Sequence, residues 1–89
     1  MTEERAITRG GRMSLTVHTA DNVTTVLDAK ETVNRLADGK DCALGVPFGH
    51  KVAICAIRKG EPIIKYGITI GTASEDICIG EHVHVHNVA

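Results

Sequence analysis

Lys51-Val-Ala-Ile-Cys-Ala-Ile57 is an apolar run of strand length, and the residues that follow it decide the fold. Ile63-Ile64, Ile68-Thr-Ile70, Ile77-Cys-Ile79 and the stretch from His82 to Val88 come next, divided by glycines at 60, 67, 71 and 80. Strands this short, divided this often, predict a mainly β fold with few long hairpins. A degenerate repeat runs through the same region. Ile57-Arg-Lys-Gly60-Glu61 recurs as Ile77-Cys-Ile-Gly80-Glu81, with a looser copy at Leu36-Ala-Asp-Gly39-Lys40. Its physical content is a turn that needs positive φ at glycine, followed by a strand entrance.

Upstream, Met13-Ser-Leu-Thr-Val-His18 alternates apolar and polar residues, the period of a half-buried strand. Val23 to Leu27 follows the turn-like pair Asp21-Asn22 and is rich in β-branched residues. Between residues 22 and 38 two readings stay open. Val26, Leu27, Val33, Leu36 and Ala37 fall near helical spacing, with Gly39 placed as a terminator, but Val23, Thr24, Thr25, Val26, Thr32 and Val33 favour strand. Residues 1 to 12 are polar, hold no apolar core of a secretory signal, and read as a flexible lead-in to a single domain over 13–89.

Composition narrows the function class. The chain has 89 residues, 43% of them hydrophobic, and 10 Lys+Arg balance 11 Asp+Glu. That is room for one small core, built from aliphatic side chains because there is one Phe, one Tyr and no Trp. Balanced charge and few aromatics argue against nucleic-acid binding, and no apolar run reaches the roughly 18 residues of a membrane span. Cys42, Cys55 and Cys78 are odd in number and fit no paired zinc spacing, so they read as reduced thiols packed as small hydrophobes in a cytoplasmic protein.

The chemistry-bearing residues lie in the second half. In an extended strand His82, His84 and His86 share one face and Val83 and Val85 the other, presumptively the core. Neighbours on that face sit roughly 7 Å apart and the outer pair roughly 13 Å apart, whereas an imidazole nitrogen binds an ion at about 2 Å. On a straight strand, therefore, a metal takes His82 with His84 or His84 with His86. Solvated polar histidines on an exposed strand are the alternative. Pro47-Phe-Gly-His50-Lys51 forms a bend that releases a titratable imidazole beside a cation, suited to proton transfer and carboxylate binding. Tyr66 sits between an apolar strand and Gly67, and Asp21-Asn22 has the form of an Asx turn.

Taken together, Pro47-Phe-Gly-His-Lys-Val-Ala-Ile54, Lys59-Gly-Glu-Pro-Ile-Ile-Lys-Tyr-Gly-Ile-Thr-Ile-Gly71 and Gly80-Glu-His-Val-His-Val-His-Asn87 resemble a known family. The chain is similar to the SAF domains that form the N-terminal domain of altronate dehydratase (altronate hydrolase) and the small subunit of sulfolactate sulfo-lyase. Galactarate dehydratase is a more distant relative. The resemblance runs from about Leu15 to Asn87, with residues 28 to 45 matching least. It implies a β-clip fold of short strands. It also implies a lyase that eliminates water, or sulfite, from a 2-hydroxy acid with a much larger catalytic subunit or domain, and a divalent metal, iron(II).

Carried onto matching positions, the resemblance marks Asp21, Asn22, His50, Lys51, Tyr66 and Gly67 across the family. His82, His84, His86 and Asn87 match the altronate and sulfolactate branches, and the galactarate branch lacks the histidine ending. The assignment expected on this basis makes His50 and Lys51 catalytic, Asp21, Asn22, Tyr66, Gly67 and Asn87 substrate-binding, and His82, His84 and His86 metal ligands. Elimination removes the hydrogen beside a carboxylate, so a cation or metal at that carboxylate lowers the barrier. A non-catalytic assembly module and a free-standing metal binder are the rival readings, and homo-oligomerisation stays open.

Overall fold

The computed structural model describes residues 10–89, and among them there are six strands and no helix. Val23–Val26 (β2) is the centre of the larger sheet, every residue of it buried. Ser14–Leu15 (β1) pairs with it on one side and Lys51–Ala53 (β3) on the other, and His82–Val83 (β6) pairs with β3. All three pairings are antiparallel. Pro62–Lys65 (β4) and Ile68–Thr72 (β5) form a separate antiparallel hairpin. The helical alternative over 22–38 is not taken. The β-branched residues of β2 are held by a ladder on both sides, and single backbone bonds such as Gly45 N–H to Glu31 and Cys42 N–H to Asn34 fix the turns beyond.

The glycine repeat is a structural repeat. Ile57 and Ile77 face each other and exchange two backbone bonds, of 2.9 and 2.7 Å. In each copy the glycine has positive φ, 88° at Gly60 and 85° at Gly80. In each the next residue's N–H closes a turn, Glu61 onto Arg58 and Glu81 onto Cys78. In each the glutamate carboxylate accepts the N–H at the start of that turn, Arg58 at 2.8 Å and Cys78 at 2.9 Å. Each glycine N–H then donates to an alanine, Gly60 to Ala73 and Gly80 to Ala53, and that alanine's N–H donates back to Glu61 or Glu81. The looser copy at Leu36–Lys40 shares the positive φ, 91° at Gly39, but there the glycine N–H itself closes the turn onto Leu36.

The main core follows this symmetry. Ile57 and Ile77, Ile63 and Val83, Ala73 and Ala53, and Val23 with the partly buried Val88 make one cluster. Fully burying a side chain of this kind contributes about 1.5–3 kcal/mol. A second cluster, Val26, Leu36, Cys42, Val46 and Val52, lies under residues 27–46. Beside it Arg12 is wholly buried. Its guanidinium donates to the Asp28 carboxylate (2.9 Å), the Asp28 carbonyl (2.7 Å) and the Val46 carbonyl (2.7 Å).

Several expectations change. Gly11 and Arg12 belong to the folded domain, so the lead-in expected over 1–12 ends sooner; residues 1–9 lie outside the described residues. A Cβ at Gly11 would lie 2.6 Å from the Leu36 carbonyl oxygen, so the chain is pressed against that segment. The strand expected over 13–18 shortens to two residues, and its apolar side faces outward, with Met13, Leu15 and Val17 exposed. The run 51–57 leaves the sheet after Ala53, where Ile54 N–H bonds Asn22, so that Ile57 can meet Ile77. The strand expected from His82 stops at Val83. All three cysteines are free, but only Cys42 is packed as a small hydrophobe; Cys55 and Cys78 are exposed. Burial pushes the Cys42 thiol up, against the opposing effect of nearby Arg12. Among the described residues no helix is long and apolar enough to cross a membrane.

The buried Arg12 yields a stability prediction. Asp28→Ala strands a buried guanidinium and should cost about 3 kcal/mol, the low end for a broken buried pair because the carboxylate keeps some water. Urea unfolding followed by far-ultraviolet circular dichroism measures it. A loss below about 1 kcal/mol, the size of a surface pair, would contradict the role given to Arg12.

Candidate functional site

The bend at Pro47–His50 is a β-turn. His50 N–H donates to the Pro47 carbonyl (3.1 Å), and Gly49 has a φ of 84°, as a type II turn requires at its third residue. Both sides of the bend are tied to β2, by Gly49 N–H to the Val26 carbonyl and by Val26 N–H to the His50 carbonyl. His50 is therefore delivered at the start of β3. The register of β3 on β6 pairs Lys51 with Val83 and Val52 with His82, which puts His50 opposite His84 just past the ladder.

The result is a cluster of imidazoles from two segments. Ligand atoms of His50, His82 and His84 all lie within 4.8 Å of one another, and all three residues are half-buried. His50 Nδ1 and His82 Nε2 are 3.0 Å apart. The rings of His50 and His84 stack with centroids 4.4 Å apart, and those of His82 and His84 at 5.5 Å. Burial, reinforced by the neighbouring imidazoles and Lys51, holds His82 and His84 below the ordinary imidazole value, which favours their neutral forms. Burial and the neighbouring Lys65 likewise lower Lys51. A hollow of about 290 Å³ opens beside the cluster, lined by Lys51, Ile70, His84, Val85 and Val88.

The straight-strand geometry expected of His82–His86 is corrected. The chain turns after Val83, so Val83 is buried but Val85 is 81% exposed rather than in the core. The turn carries His86 out of the gathered set. Its ring stays 5.6 Å from that of His82, almost as near as that of His84, but the ligand atoms that gather are those of His50, His82 and His84, so His50 occupies the third place instead. Sequence spacing could not show this, because His50 is remote in the chain and reaches the site only through the β3–β6 register.

The residues expected to bind substrate are engaged in the fold. Asp21 is buried, and its carboxylate accepts from Gly67 N–H (2.8 Å), His18 N–H (3.0 Å) and Val17 N–H (3.3 Å). These bonds hold the hairpin turn Tyr66-Gly67, where both φ values are positive, 57° and 74°, as a two-residue type I′ turn requires. Tyr66 itself is 45% exposed, with Lys65 Nζ 4.9 Å from its ring centre. Asn22 donates to the Pro62 carbonyl and accepts from Ile64 N–H, both at 2.8 Å. Asn87 is wholly buried and does the same on the other side: it donates to the His82 carbonyl and accepts from His84 N–H, both at 2.9 Å.

The fold and the site define a small antiparallel β module that presents a histidine cluster at the edge of its sheet. The chain belongs to the SAF domains of the altronate/galactarate dehydratases, the family that matches residues 12–89. It is 43% identical over 74 residues to altronate dehydratase of Bacillus subtilis (strain 168), and equally to that of Escherichia coli (strain K12). Each match takes 80% of this chain but 15% of the relative. It is also 51% identical over 43 residues to the (2R)-sulfolactate sulfo-lyase subunit alpha of Chromohalobacter salexigens, covering 48% of this chain and 46% of that subunit. The chain thus spans a small part of the dehydratases and about half of the sulfo-lyase subunit.

The bonds at Asp21 predict a pH dependence. Burial works against ionisation, but the backbone donors Gly67, His18, Tyr66 and Val17 together hold the carboxyl below its ordinary value. A depressed folded pKa stabilises fully above the unfolded value of about 4 and is lost as pH falls through the folded one. Melting temperature should therefore fall less steeply between pH 5 and pH 2 in Asp21→Asn than in the natural sequence. Parallel curves in thermal melts would contradict this.

Proposed function

We propose that this chain is the SAF subunit or domain of a two-part lyase. In this reading a much larger catalytic chain completes the site, and the pair eliminates water from a sugar acid of the altronate type. The altronate relatives match most of this chain, whereas the sulfo-lyase relative matches about half, so sulfite elimination from sulfolactate is the second substrate to test. The observation that carries the reading is the convergence of His50, His82 and His84 next to Lys51 and an open hollow.

The residues fit a divalent ion. The ligand nitrogens of His50, His82 and His84 lie within 4.8 Å of one another, close enough for small side-chain movements to bring them onto one ion. Neutral imidazoles suit borderline ions such as iron(II) or zinc rather than magnesium or calcium. His50, His82 and His84 would hold the ion, and its contribution when bound is Lewis-acid stabilisation of negative charge on the hydroxy acid. Lys51 offers a cation to the substrate carboxylate, from the wall of the hollow. Ile70, Val85 and Val88 supply the apolar part of its lining. With His50 among the ligands, the proton-transfer role expected of it passes to a group of the larger partner. Among the described residues no carboxylate forms an ion pair or hydrogen bond with the three rings or Lys51, so the site is left open to an anionic substrate. Free thiols accord with a reducing cytoplasmic setting.

Co-expression with the large catalytic chain, assayed on altronate and on sulfolactate, tests the proposal. The assembled enzyme should turn over one of them, and His50→Ala should lower turnover about 10²-fold or more, the scale of a lost Lewis-acid contribution, while reducing bound metal per chain. Turnover of neither acid, or near-normal activity of His50→Ala, would overturn it.

A further inference from the structure

We propose that Asn87 is a positioning residue for the histidine site: it closes the turn after Val83 and holds the backbone of His82 and His84, so that their rings keep the orientation in which they gather beside His50. The proposal rests on the metal reading given above. Asn87 directs its hydrogen bonds to backbone and to Glu81, not to the rings. It is wholly buried and acts on the backbone of two of the three histidines, accepting from His84 N–H and donating to the His82 carbonyl. A third bond, 3.5 Å to Glu81 Oε2, links it to the glutamate that closes the preceding turn. Its own N–H donates to the His84 carbonyl at 3.1 Å, so both the amide N–H and the carbonyl of His84 are held by one residue. The β3–β6 register already brings His84 opposite His50; the Asn87 bonds end β6 at Val83 and fix the backbone from which the His84 ring stacks on His50.

The structure supplies its own control. Asn22 holds Pro62 and Ile64 with the same pair of side-chain bonds, and its N–H donates to the Ile64 carbonyl, also at 3.1 Å. The carbonyls also correspond, Asn22 accepting from Ile54 N–H and Asn87 from Ser74 N–H. Counting from the two glycine turns, Pro62 and Ile64 occupy the places of His82 and His84. The asparagine clamp is thus a device the fold uses twice, once where there is no imidazole and once beneath the histidine cluster. A substitution at either asparagine removes equivalent bonds, but only one of them orients a ligand.

The test compares the full chain with Asn87→Ala, Asn87→Asp and Asn22→Ala, using Co²⁺ titration read by its visible absorption and ¹⁵N imidazole spectra of the metal-free proteins. Asn87→Ala should weaken Co²⁺ binding about 10- to 100-fold, the scale of a lost outer contact, and shift the His50, His82 and His84 resonances. Asn22→Ala should lose similar thermal stability but bind Co²⁺ within about twofold of the natural chain, because Asn22 holds Pro62 and Ile64 and makes no outer contact to the ligands. Asn87→Asp keeps the acceptor for His84 N–H and should restore part of the affinity; if the alanine variant does not fold, the aspartate variant's imidazole shifts decide. Unchanged imidazole spectra in the Asn87 variants, or equal loss of Co²⁺ binding in Asn22→Ala, would overturn the proposal. No Co²⁺ binding by the natural chain would refute the metal reading alone, and the imidazole spectra would still judge Asn87.

Discussion

Ile57 and Ile77 exchange both of their backbone hydrogen bonds, and the rest of the structure is arranged around that exchange. It fixes two glycine turns in mirrored positions, and each turn feeds a strand whose alternate residue, Ile63 or Val83, enters one shared core. A chain this short can bury only a limited share of its surface. Building both halves on one pairing lets seven buried side chains form a single cluster, although the longest strand has five residues. The second cluster is less economical. It lies under a strand-free segment, and the wholly buried Arg12 ties that segment to Asp28 and Val46.

The histidine cluster is a by-product of the same geometry. Once Gly80 and Glu81 have turned the chain, β6 must run antiparallel to β3, and that register places His82 and His84 beside the residue that enters β3. The type II turn at Pro47–His50 makes that residue His50. Electrostatics then select the chemistry. Burial, with other imidazoles and Lys51 alongside and no opposing carboxylate among the described residues, lowers His82 and His84, so their neutral forms are favoured and their lone pairs are available to a cation. In the relatives named altronate dehydratase, the matched region is a small part of a long chain.

Much of this is legible in the sequence, and the exceptions have physical causes. The β character, the Gly-Glu turns and the Gly-His-Lys bend all rest on local backbone requirements, and those survive folding. The family could be read from motifs in the second half of the chain. Arg12 could not be read as buried, because its partners Asp28 and Val46 are distant in the chain. The alternation of Met13 to His18 predicts a buried face, but β1 lies at the edge of the sheet and none of the described residues covers it. Periodicity also extended the histidine strand too far, because the side chain that ends it, Asn87, bonds backward onto residues it follows. Asp21, Asn22 and Asn87 were expected at the substrate; their polar atoms instead hold turns, a role that leaves the same sequence signature as a binding role.

The central claim is that His50, and not His86, completes a metal site with His82 and His84. Isothermal titration of the 89-residue chain with Zn²⁺ tests it most directly, run on the natural sequence, His50→Ala and His86→Ala. The account predicts one ion per chain, lost in His50→Ala and retained in His86→Ala. Retention in His50→Ala with loss in His86→Ala would place the ion on the C-terminal histidines alone and contradict it.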